Sequence, residues 1–381
     1  MMRAPRIVLA PDSYKGSASA LEIAHALGEG LQIVLPEARL TLSPMADGGE
    51  GTLDCIAASA PGRWEQVTID AIHGVPIDAR WYRTEDGRAI IESAEVLGLP
   101  LIEASTDAPP LQGRGSAALG ALVSAVLDTG VHQLCIGLGG SACNDAGLGL
   151  LLALGAVGKD ANNAPVAPTM EGLLALNTLD LSGLDPRLSK TTIQVLCDVD
   201  NPLLGERGAS RVYGPQKGLT DADIDAVESA FQRMAELGNA QESARANGSG
   251  AAGGLGFALA LIGGQLLPGA NTLMDMTGLR DALSSADLVI TGEGRSDEQT
   301  LSGKLPLAIA GAAHPTPTAL LSGDIAPTAA ADLQSHFAGC FTLVERAGSV
   351  DAALAEPLHW VREAATHIGE SIDTLIAAGQ R

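Results

Sequence analysis

Residues 286–304 constrain the fold of this chain more than any other segment. The apolar run at 288–290, Leu-Val-Ile, has the composition of a buried strand, and a loop broken by glycines follows it. The loop carries Glu293, Arg295, Asp297 and Lys304. In open α/β sheets, ligands bind just beyond the carboxyl ends of such strands. Glycines let the backbone approach a ligand closely, and the alternating acids and bases favour a metal-bound polyphosphate.

Four further blocks share this composition, and each follows a short apolar run. They occupy residues 11–17, 44–52, 137–145 and 197–202, the last continuing at residues 213–218. Each combines glycine or proline with an acid, a hydroxyl or an amide. One such block alone is typical of a solvated loop, but five together are difficult to explain as ordinary turns. We therefore expect the five blocks to contribute to a functional site.

The composition restricts the class of protein and its partners. A chain of 381 residues is long enough for two or three domains. Its net charge of −22 argues against nucleic acid or an anionic membrane surface as a partner, because phosphate groups require a basic footprint. Five cysteines without a C-x-x-C pair indicate neither a disulfide framework nor a zinc site. The first apolar run is too short for a signal peptide, so the sequence predicts a cytoplasmic protein.

The basic residues of this acidic chain are concentrated in or beside the glycine-rich blocks. They are Lys15, Arg211, Lys217, Arg295 and Lys304. A locally positive field attracts a small anion even to an acidic protein, so these side chains predict an anionic small-molecule ligand.

Both ends of the chain predict alternating strands and helices. An apolar strand at 7–10 precedes a capping box formed by Ser19 and Glu22, a helix, and a second strand at 39–42. The C-terminal part repeats the alternation, with strands at 288–290, 318–321 and 340–343, a turn at 322–324 and a final helix from about residue 351. This pattern predicts a parallel sheet with helices on both faces.

The middle of the chain differs and predicts an inserted domain. Residues 67–92 alternate as an antiparallel meander, and helical segments and further strands follow it. The uncharged run 247–273 could span a bilayer, but its glycines, Gln265 and Pro268 favour a buried helix. We therefore predict a Rossmann-like parallel α/β domain of residues 1–64 and 283–381, with a mixed α/β domain of residues 65–282 inserted into it.

The residue types in the blocks match the requirements of phosphoryl transfer. That chemistry needs cations and backbone N–H groups on the phosphates, a carboxylate for Mg²⁺ and a carboxylate that takes the acceptor proton. The catalytic candidates are Asp47, Asp198, Lys15 and Asp297, and Asp47 and Asp297 are the metal candidates. The nucleotide-binding candidates are Gly292, Gly294, Arg295, Lys304, Gly139, Gly140, Ser141 and Lys217. The base remains open among Asp12, Asp47, Asp198 and Asp297.

Two other functions are compatible with the sequence. Residues 137–142 match the dinucleotide pattern G-x-G-x-x-A after a strand, which would suit an NAD(P)-dependent hydroxy-acid dehydrogenase. Against this, Asn144 and Asp145 lie at the predicted helix start, where a pyrophosphate would meet a carboxylate. The other alternative is a nucleotide or metabolite sensor without turnover.

The blocks together resemble bacterial type 1 glycerate kinases, which include glycerate 2-kinases. The resemblance rests on residues 12–17, 44–52, 137–145, 197–203, 213–218, 250–256 and 290–300, in the same order along nearly the whole chain. The departures are Tyr14 and Tyr213 in place of Phe, Cys143 in place of Thr and Ala146 in place of Gly. If the usual Thr hydroxyl touches a ligand, Cys143 changes that contact.

The resemblance implies a two-domain α/β enzyme of the type I glycerate kinase fold. It further implies that the enzyme uses ATP and Mg²⁺ to phosphorylate D-glycerate, usually to 2-phosphoglycerate. If all five blocks serve this reaction, the site lies in a cleft between the two predicted domains. The sequence identifies neither the phosphorylated hydroxyl nor the oligomeric state, and it leaves a homo-oligomer open.

Overall fold

The computed structural model describes residues 3–301 and 303–378. The chain divides into two compact units. Unit 1 consists of Met1–Asp47, Asp54–Ala60 and Ala270–Arg381, and unit 2 consists of Gly48–Leu53 and Pro61–Gly269. The domain bounds expected from sequence, 1–64 with 283–381 and 65–282, stay a prediction.

The strands and helices alternate along most of the chain. The strands are β1 (Arg6–Pro11), β2 (Arg39–Leu42), β3 (Gly62–Asp70), β4 (Pro76–Thr84), β5 (Ala89–Glu92), β6 (Gln133–Gly137), β7 (Val157–Lys159), β8 (Thr178–Asp180), β9 (Thr192–Leu196), β10 (Gln265–Leu267), β11 (Leu288–Ser296), β12 (Thr318–Ile325) and β13 (Gly339–Thr342). The helices are α1 (Ala20–Val34), α2 (Thr52–Ser59), α3 (Ala94–Leu97), α4 (Leu99–Glu103), α5 (Ala117–Asp128), α6 (Leu148–Ala153), α7 (Met170–Ala175), α8 (Ala209–Tyr213), α9 (Asp221–Leu237), α10 (Ala251–Leu261), α11 (Gly269–Met276), α12 (Leu279–Ser285), α13 (Glu298–Leu301), α14 (Leu305–Ala313), α15 (Ala330–His336), α16 (Leu343–Ala347), α17 (Val350–Ala355), α18 (Pro357–Glu370) and α19 (Ile372–Ala378).

Unit 1 is built on a parallel sheet that uses both ends of the chain. Its strand order is β13-β12-β11-β1-β2, and every neighbouring pair is parallel. Strand β1 is almost wholly buried because helices cover such a sheet on its faces. Helix α1 begins at the predicted capping box, in which Ser19 and Glu22 each accept the other's backbone N–H. The predicted Rossmann-like parallel arrangement is confirmed.

Unit 2 is built on a mixed sheet with the order β10-β9-β6-β5-β4-β3. Strands β3, β4 and β5 form the predicted antiparallel meander, whereas β5, β6, β9 and β10 pair in parallel. The core is mainly aliphatic, as the low aromatic content requires, and its largest fully buried side chains include Phe231 and Phe257. The predicted mixed α/β class of this part of the chain is confirmed.

Two predicted loop segments are strand in the structure. Strand β11 continues past the predicted end at residue 290 to Ser296, and β12 contains the predicted turn at 322–324. The two strands pair as far as Ser296 opposite Ile325. Polar residues and glycines indicated a loop, but these glycines allow close strand packing: a Cβ on Gly323 would lie 2.3 Å from the Gly294 carbonyl oxygen. The prediction of a turn there was wrong because packing overrode local propensity.

The buried helix predicted over residues 247–273 is also interrupted. Helix α10, strand β10 and helix α11 share this segment, and Ala252, Gly253 and Gly254 all have left-handed φ angles. Similarly, the predicted terminal helix is divided into α17, α18 and α19, with Pro357 at the start of α18. Within residues 3–301 and 303–378, no helix combines the length and the apolar character needed to cross a membrane.

The strand glycines provide a stability test. A Cβ on Gly292 would lie 1.8 Å from the Leu321 carbonyl oxygen, so Gly292→Ala should destabilise the protein by about 3 kcal/mol or more. Gly311 is the matched control, because it lies in helix α14 and a Cβ there would meet nothing within 4 Å. Gly311→Ala should raise stability by roughly 0.5–1 kcal/mol. Equal urea midpoints for the two variants would contradict this packing account.

Candidate active site

Three carboxylates of unit 1 lie near the carboxyl edge of the parallel sheet. Asp12 directly follows β1, and its N–H donates to the Gly292 carbonyl on β11 at 2.8 Å. Met45 follows β2, and its N–H donates to the Pro11 carbonyl at 2.9 Å, which brings Asp47 to the same edge. Glu293 lies on β11 immediately beyond Gly292. The structure therefore brings two of the four predicted base candidates, Asp12 and Asp47, close to a third acid.

Burial and neighbouring negative charge raise the pKa of Asp12. The pKa of Asp12 is raised to about 7, mainly by burial and in addition by the charges of Asp47 and Glu293. The Ser13 N–H, which donates to Asp12 Oδ1 at 2.6 Å, and the charge of Lys15 act in the opposite direction. A carboxylate with a pKa near the working pH suits general base catalysis.

Lys15 is exposed on a loop that packs on β11 and β12. The buried Tyr14, which replaces the usual Phe, donates its hydroxyl to the Leu321 carbonyl at 2.8 Å. A Cβ on Gly294 would lie 3.3 Å from the Cα of Tyr14 and 3.4 Å from the backbone nitrogen of Lys15, so the loop packs closely on the strand at this glycine. Gly292 and Gly294 thus have packing roles in the structure, and their contact with nucleotide stays a prediction.

The remaining predicted residues of unit 1 follow Glu293. Arg295 is exposed near the end of β11, and Lys304 lies half-buried at the N-cap of helix α14. Asp297 directly precedes the short helix α13, and its Oδ1 accepts the Gln299 N–H at 2.9 Å. Asp297 therefore has a capping role, which engages one carboxylate oxygen in that bond; its proposed catalytic and metal roles stay predictions.

Lys217 is buried inside unit 2, against the glycine-rich block at 137–145. Its ammonium donates to the Ser141 hydroxyl at 3.1 Å and to the Cys143 carbonyl at 2.7 Å, and the residue is only 5% exposed. Burial lowers the pKa of Lys217, while the nearby Cys143 and Asp145 act to raise it. The amine thus holds this loop in place, and contact of Lys217 or Ser141 with phosphate stays a prediction.

The predicted glycines of this block are constrained by the backbone. A Cβ on Gly139 would lie 2.6 Å from the Cα of Gly49 in the same unit, and Gly140 has a left-handed φ of 62°. Gly139 therefore has no room for a side chain, and a side chain at Gly140 would strain the backbone, whatever these positions bind. Cys143 is fully buried, and burial raises the pKa of its thiol to about 12. Its Sγ faces the Ala252 carbonyl at 4.0 Å.

Asp145 occupies the amide groups that a dinucleotide would need. Its fully buried carboxylate accepts the N–H groups of Gly147 and Gly149 at the start of helix α6, and the N–H and hydroxyl of Ser116. Burial raises the pKa of Asp145, whereas these hydrogen bonds lower it. A helix start that binds pyrophosphate must leave its N–H groups open to the ligand. The arrangement therefore disfavours the dehydrogenase alternative.

The last predicted block is held by its own side chains. Asp198 is exposed beyond β9, and its Oδ1 accepts the Gly269 N–H at 2.6 Å. The Tyr213 hydroxyl donates to Asn201 Oδ1 at 2.7 Å. Arg211 forms ion pairs with Asp225 and Glu228 of helix α9, so these two acids offset its positive charge.

The buried acid Glu92 was not identified from the sequence, and Glu293 was named in the loop without an assigned role. Glu92 ends the buried strand β5, and its carboxylate accepts the Leu53 N–H at 2.5 Å and the Gly51 N–H at 3.4 Å. It therefore binds the glycine turn at 48–53. For Glu92, the available signal was an acid at the end of an otherwise apolar strand.

Substitutions of the exposed Lys15 and the buried Lys217 distinguish effects on phosphate binding from effects on stability. Replacing either Lys15 or Lys217 by Met should reduce kcat/KM by roughly tenfold or more if each supports phosphate binding. Lys217→Met should also cost about 1–3 kcal/mol of stability, because Ser141 and the Cys143 carbonyl lose their buried donor. Lys15 is exposed, so Lys15→Met should leave the Tm unchanged. An unchanged Tm in Lys217→Met would contradict the buried geometry.

The chain is similar to known proteins over almost its whole length. The model of the Glycerate kinase family matches residues 7–373. Glycerate kinase of Halalkalibacterium halodurans is 38% identical, and the match covers 95% of this chain and 97% of that protein. Glycerate 2-kinase of Escherichia coli K12 is 37% identical, and the match covers 91% of this chain and 93% of that protein. A crystal structure described as glycerate kinase 2 from Salmonella typhimurium LT2 superimposes with a TM-score of 0.81 at 37% identity, covering 99% of this chain and 100% of that one. The family resemblance seen in the sequence is thereby confirmed, and the chain belongs to the glycerate kinase family.

Proposed function

We propose that this enzyme transfers the γ-phosphoryl group of ATP to D-glycerate, with Mg²⁺ as cofactor and 2-phosphoglycerate as the product. Family membership over residues 7–373 and relatives named glycerate kinase and glycerate 2-kinase support the substrate and the reaction. The acidic chain also fits a small-molecule substrate better than a nucleic acid or membrane partner, and a cytoplasmic location stays a prediction.

The observation that carries the proposal is the group formed by Asp12, Asp47, Glu293 and Lys15. These residues lie close enough at the carboxyl edge of the unit 1 sheet for their charges to shift the pKa of Asp12. Ligands of parallel α/β sheets bind at this edge. A base, a further carboxylate and a cation in one place are what phosphoryl transfer to a hydroxyl requires.

We assign the phosphate contacts to residues that the sequence predicted. Lys15, Arg295, Lys304 and Lys217 supply positive charge, and Gly139, Gly140, Ser141, Gly292 and Gly294 lie on the segments that approach the nucleotide. Whether the blocks of the two units serve one reaction stays a prediction. Residues of this kind would bind ATP and glycerate side by side. Such positioning of the two substrates provides much of the rate enhancement in kinases.

Asp47 and Asp297 are the residues that would hold Mg²⁺. Among the described residues, no group of three or more His, Cys, Asp or Glu side chains has the geometry of a metal site. Mg²⁺ commonly takes only one or two carboxylates and completes its shell with water and phosphate oxygens, so the two aspartates fit this cation. When bound, the ion neutralises charge that develops on the phosphates.

Asp12 is the best candidate for the base among the four aspartates. Asp12, Asp198 and Asp297 each accept a backbone N–H, so these bonds do not distinguish them. The feature that favours Asp12 is its raised pKa of about 7, which follows from burial and from the charges of Asp47 and Glu293. Asp47 is assigned to the metal. Asp12 would take the proton from the glycerate hydroxyl while the oxygen of that hydroxyl forms a bond to the γ-phosphorus. The bond from that phosphorus to the β–γ bridging oxygen breaks, and ADP leaves with the electron pair.

The first test is an assay of ADP release with a panel of hydroxy acids. The protein should release ADP only when ATP, Mg²⁺ and a suitable acceptor are present, with D-glycerate as the preferred acceptor. The same panel with NAD(P)⁺ is the control and should yield no NAD(P)H. Reduction of NAD(P)⁺ without ADP release would contradict the proposal, and binding without any turnover would support the sensor alternative.

The second test is the pH dependence of kcat/KM for glycerate. A base must be deprotonated to act, so kcat/KM should fall as the pH decreases through the pKa of Asp12, about 7 in the free protein. Asp12→Asn should reduce kcat/KM by about 10²-fold or more, whereas Asp107→Asn, at an exposed carboxylate, should not. A flat profile between pH 5 and 8 would exclude Asp12 as the base.

A further inference from the structure

Glu293 is a buried acid with two hydroxyl donors on one oxygen. It is only 8% exposed, and its Oε1 accepts the hydroxyls of Ser296 at 2.8 Å and Thr300 at 2.6 Å. A buried carboxylate is stable only when such donors replace the water that it has lost. Glu293 is therefore held in one orientation from two sides.

The proton count gives these hydrogen bonds a direction. Each hydroxyl has one proton, and Ser296 gives its proton to Glu293. Ser322 Oγ lies 2.7 Å from Ser296 Oγ, so Ser322 must be the donor in that pair. In the same way, Thr300 donates to Glu293 and accepts the backbone N–H of Asp297 at 3.0 Å. Both chains of hydrogen bonds end at the Glu293 carboxylate.

This network joins three elements of unit 1. Glu293 and Ser296 lie on β11, Ser322 lies on β12, and Thr300 lies on α13. The backbone N–H of Asp297 depends on Thr300, whose rotamer depends in turn on Glu293. The conformation of the turn that carries Asp297 is therefore fixed by a carboxylate four residues earlier in the chain.

We propose that Glu293 is a positioning residue, which acts through Thr300 to hold Asp297 in its working geometry. This inference rests on the proposed function, in which Asp297 serves the phosphoryl transfer. Glu293 itself need not contact the nucleotide or glycerate. A displacement of about 1 Å in a catalytic group can cost two orders of magnitude in rate, so such a support is kinetically important.

The test compares two substitutions of Thr300. Thr300→Val keeps the shape but removes the hydroxyl, so kcat/KM for ATP should fall roughly tenfold. Thr300→Ser keeps the hydroxyl and should stay within about twofold of the wild type. Thr316→Val is the control, because the Thr316 hydroxyl makes only a long bond of 3.5 Å to the Ala286 carbonyl.

Hydrogen exchange of the ligand-free protein gives a readout independent of activity. Thr300→Val should increase exchange in a peptide covering residues 293–301, and Thr300→Ser should not. Glu293→Gln, which retains an acceptor oxygen, provides a second variant if Thr300→Val does not fold. In the double variant Glu293→Gln/Thr300→Val the losses of activity should be less than additive, because part of the Glu293→Gln effect passes through Thr300, whereas its effect on the pKa of Asp12 does not.

The outcomes separate this inference from the proposed function. Wild-type kcat/KM and wild-type exchange in Thr300→Val would overturn the positioning role, as would additive losses in the double variant. A wild-type protein that releases no ADP with glycerate would overturn the proposed function instead, while the exchange data would still test the network.

Discussion

The parallel pairing of β1 with β11 is the constraint on which the proposed site depends. It joins segments about 280 residues apart in the sequence, with Pro11 opposite Gly292. That register places Asp12 beside Gly292, whose carbonyl accepts the Asp12 N–H. On the other side of β11, Gly292 permits the pairing with β12, because no Cβ obstructs the neighbouring carbonyl of Leu321. A shift by one residue would turn the side chains of β11 to the opposite face of the sheet. The positions of Asp12 and Glu293 therefore follow from backbone pairing.

The same pairing concentrates negative charge in one place. Burial raises the pKa of Asp12, the charges of Asp47 and Glu293 add to this effect, and the nearby Lys15 only partly offsets it. Such an arrangement is unfavourable for folding at a pH where Asp12 is ionised. A raised pKa means that the carboxylate form is less stable in the folded state than in the unfolded state. This cost in folding stability is typical of a catalytic site, where a base must gain a proton near neutral pH. A bound cation would restore the charge balance. Elsewhere, acids such as Glu92 and Asp145 are each satisfied by several hydrogen bonds.

The sequence predicted the fold class, the strand starts and the blocks, but not how far the strands extend. Alternating apolar runs and the Ser19 capping box indicated β1, α1 and the parallel sheet correctly. Residues 291–296 carried loop signals, yet they are strand because their partners on β12 provide the ladder and their glycines permit close approach. Gly292, Gly294, Gly139 and Gly140 were interpreted as ligand contacts, and the structure gives each a packing or conformational reason. These reasons depend on neighbours that are remote in sequence.

Asp12 was one of four open candidates for the base, because sequence does not report electrostatic neighbours. The most direct test is a crystal structure of the enzyme with D-glycerate, Mg²⁺ and a non-hydrolysable ATP analogue. The account predicts a glycerate hydroxyl within about 3.2 Å of the Asp12 carboxylate, in line with the γ-phosphate. A glycerate hydroxyl bonded instead to Asp198, with Asp12 remote from both ligands, would contradict it.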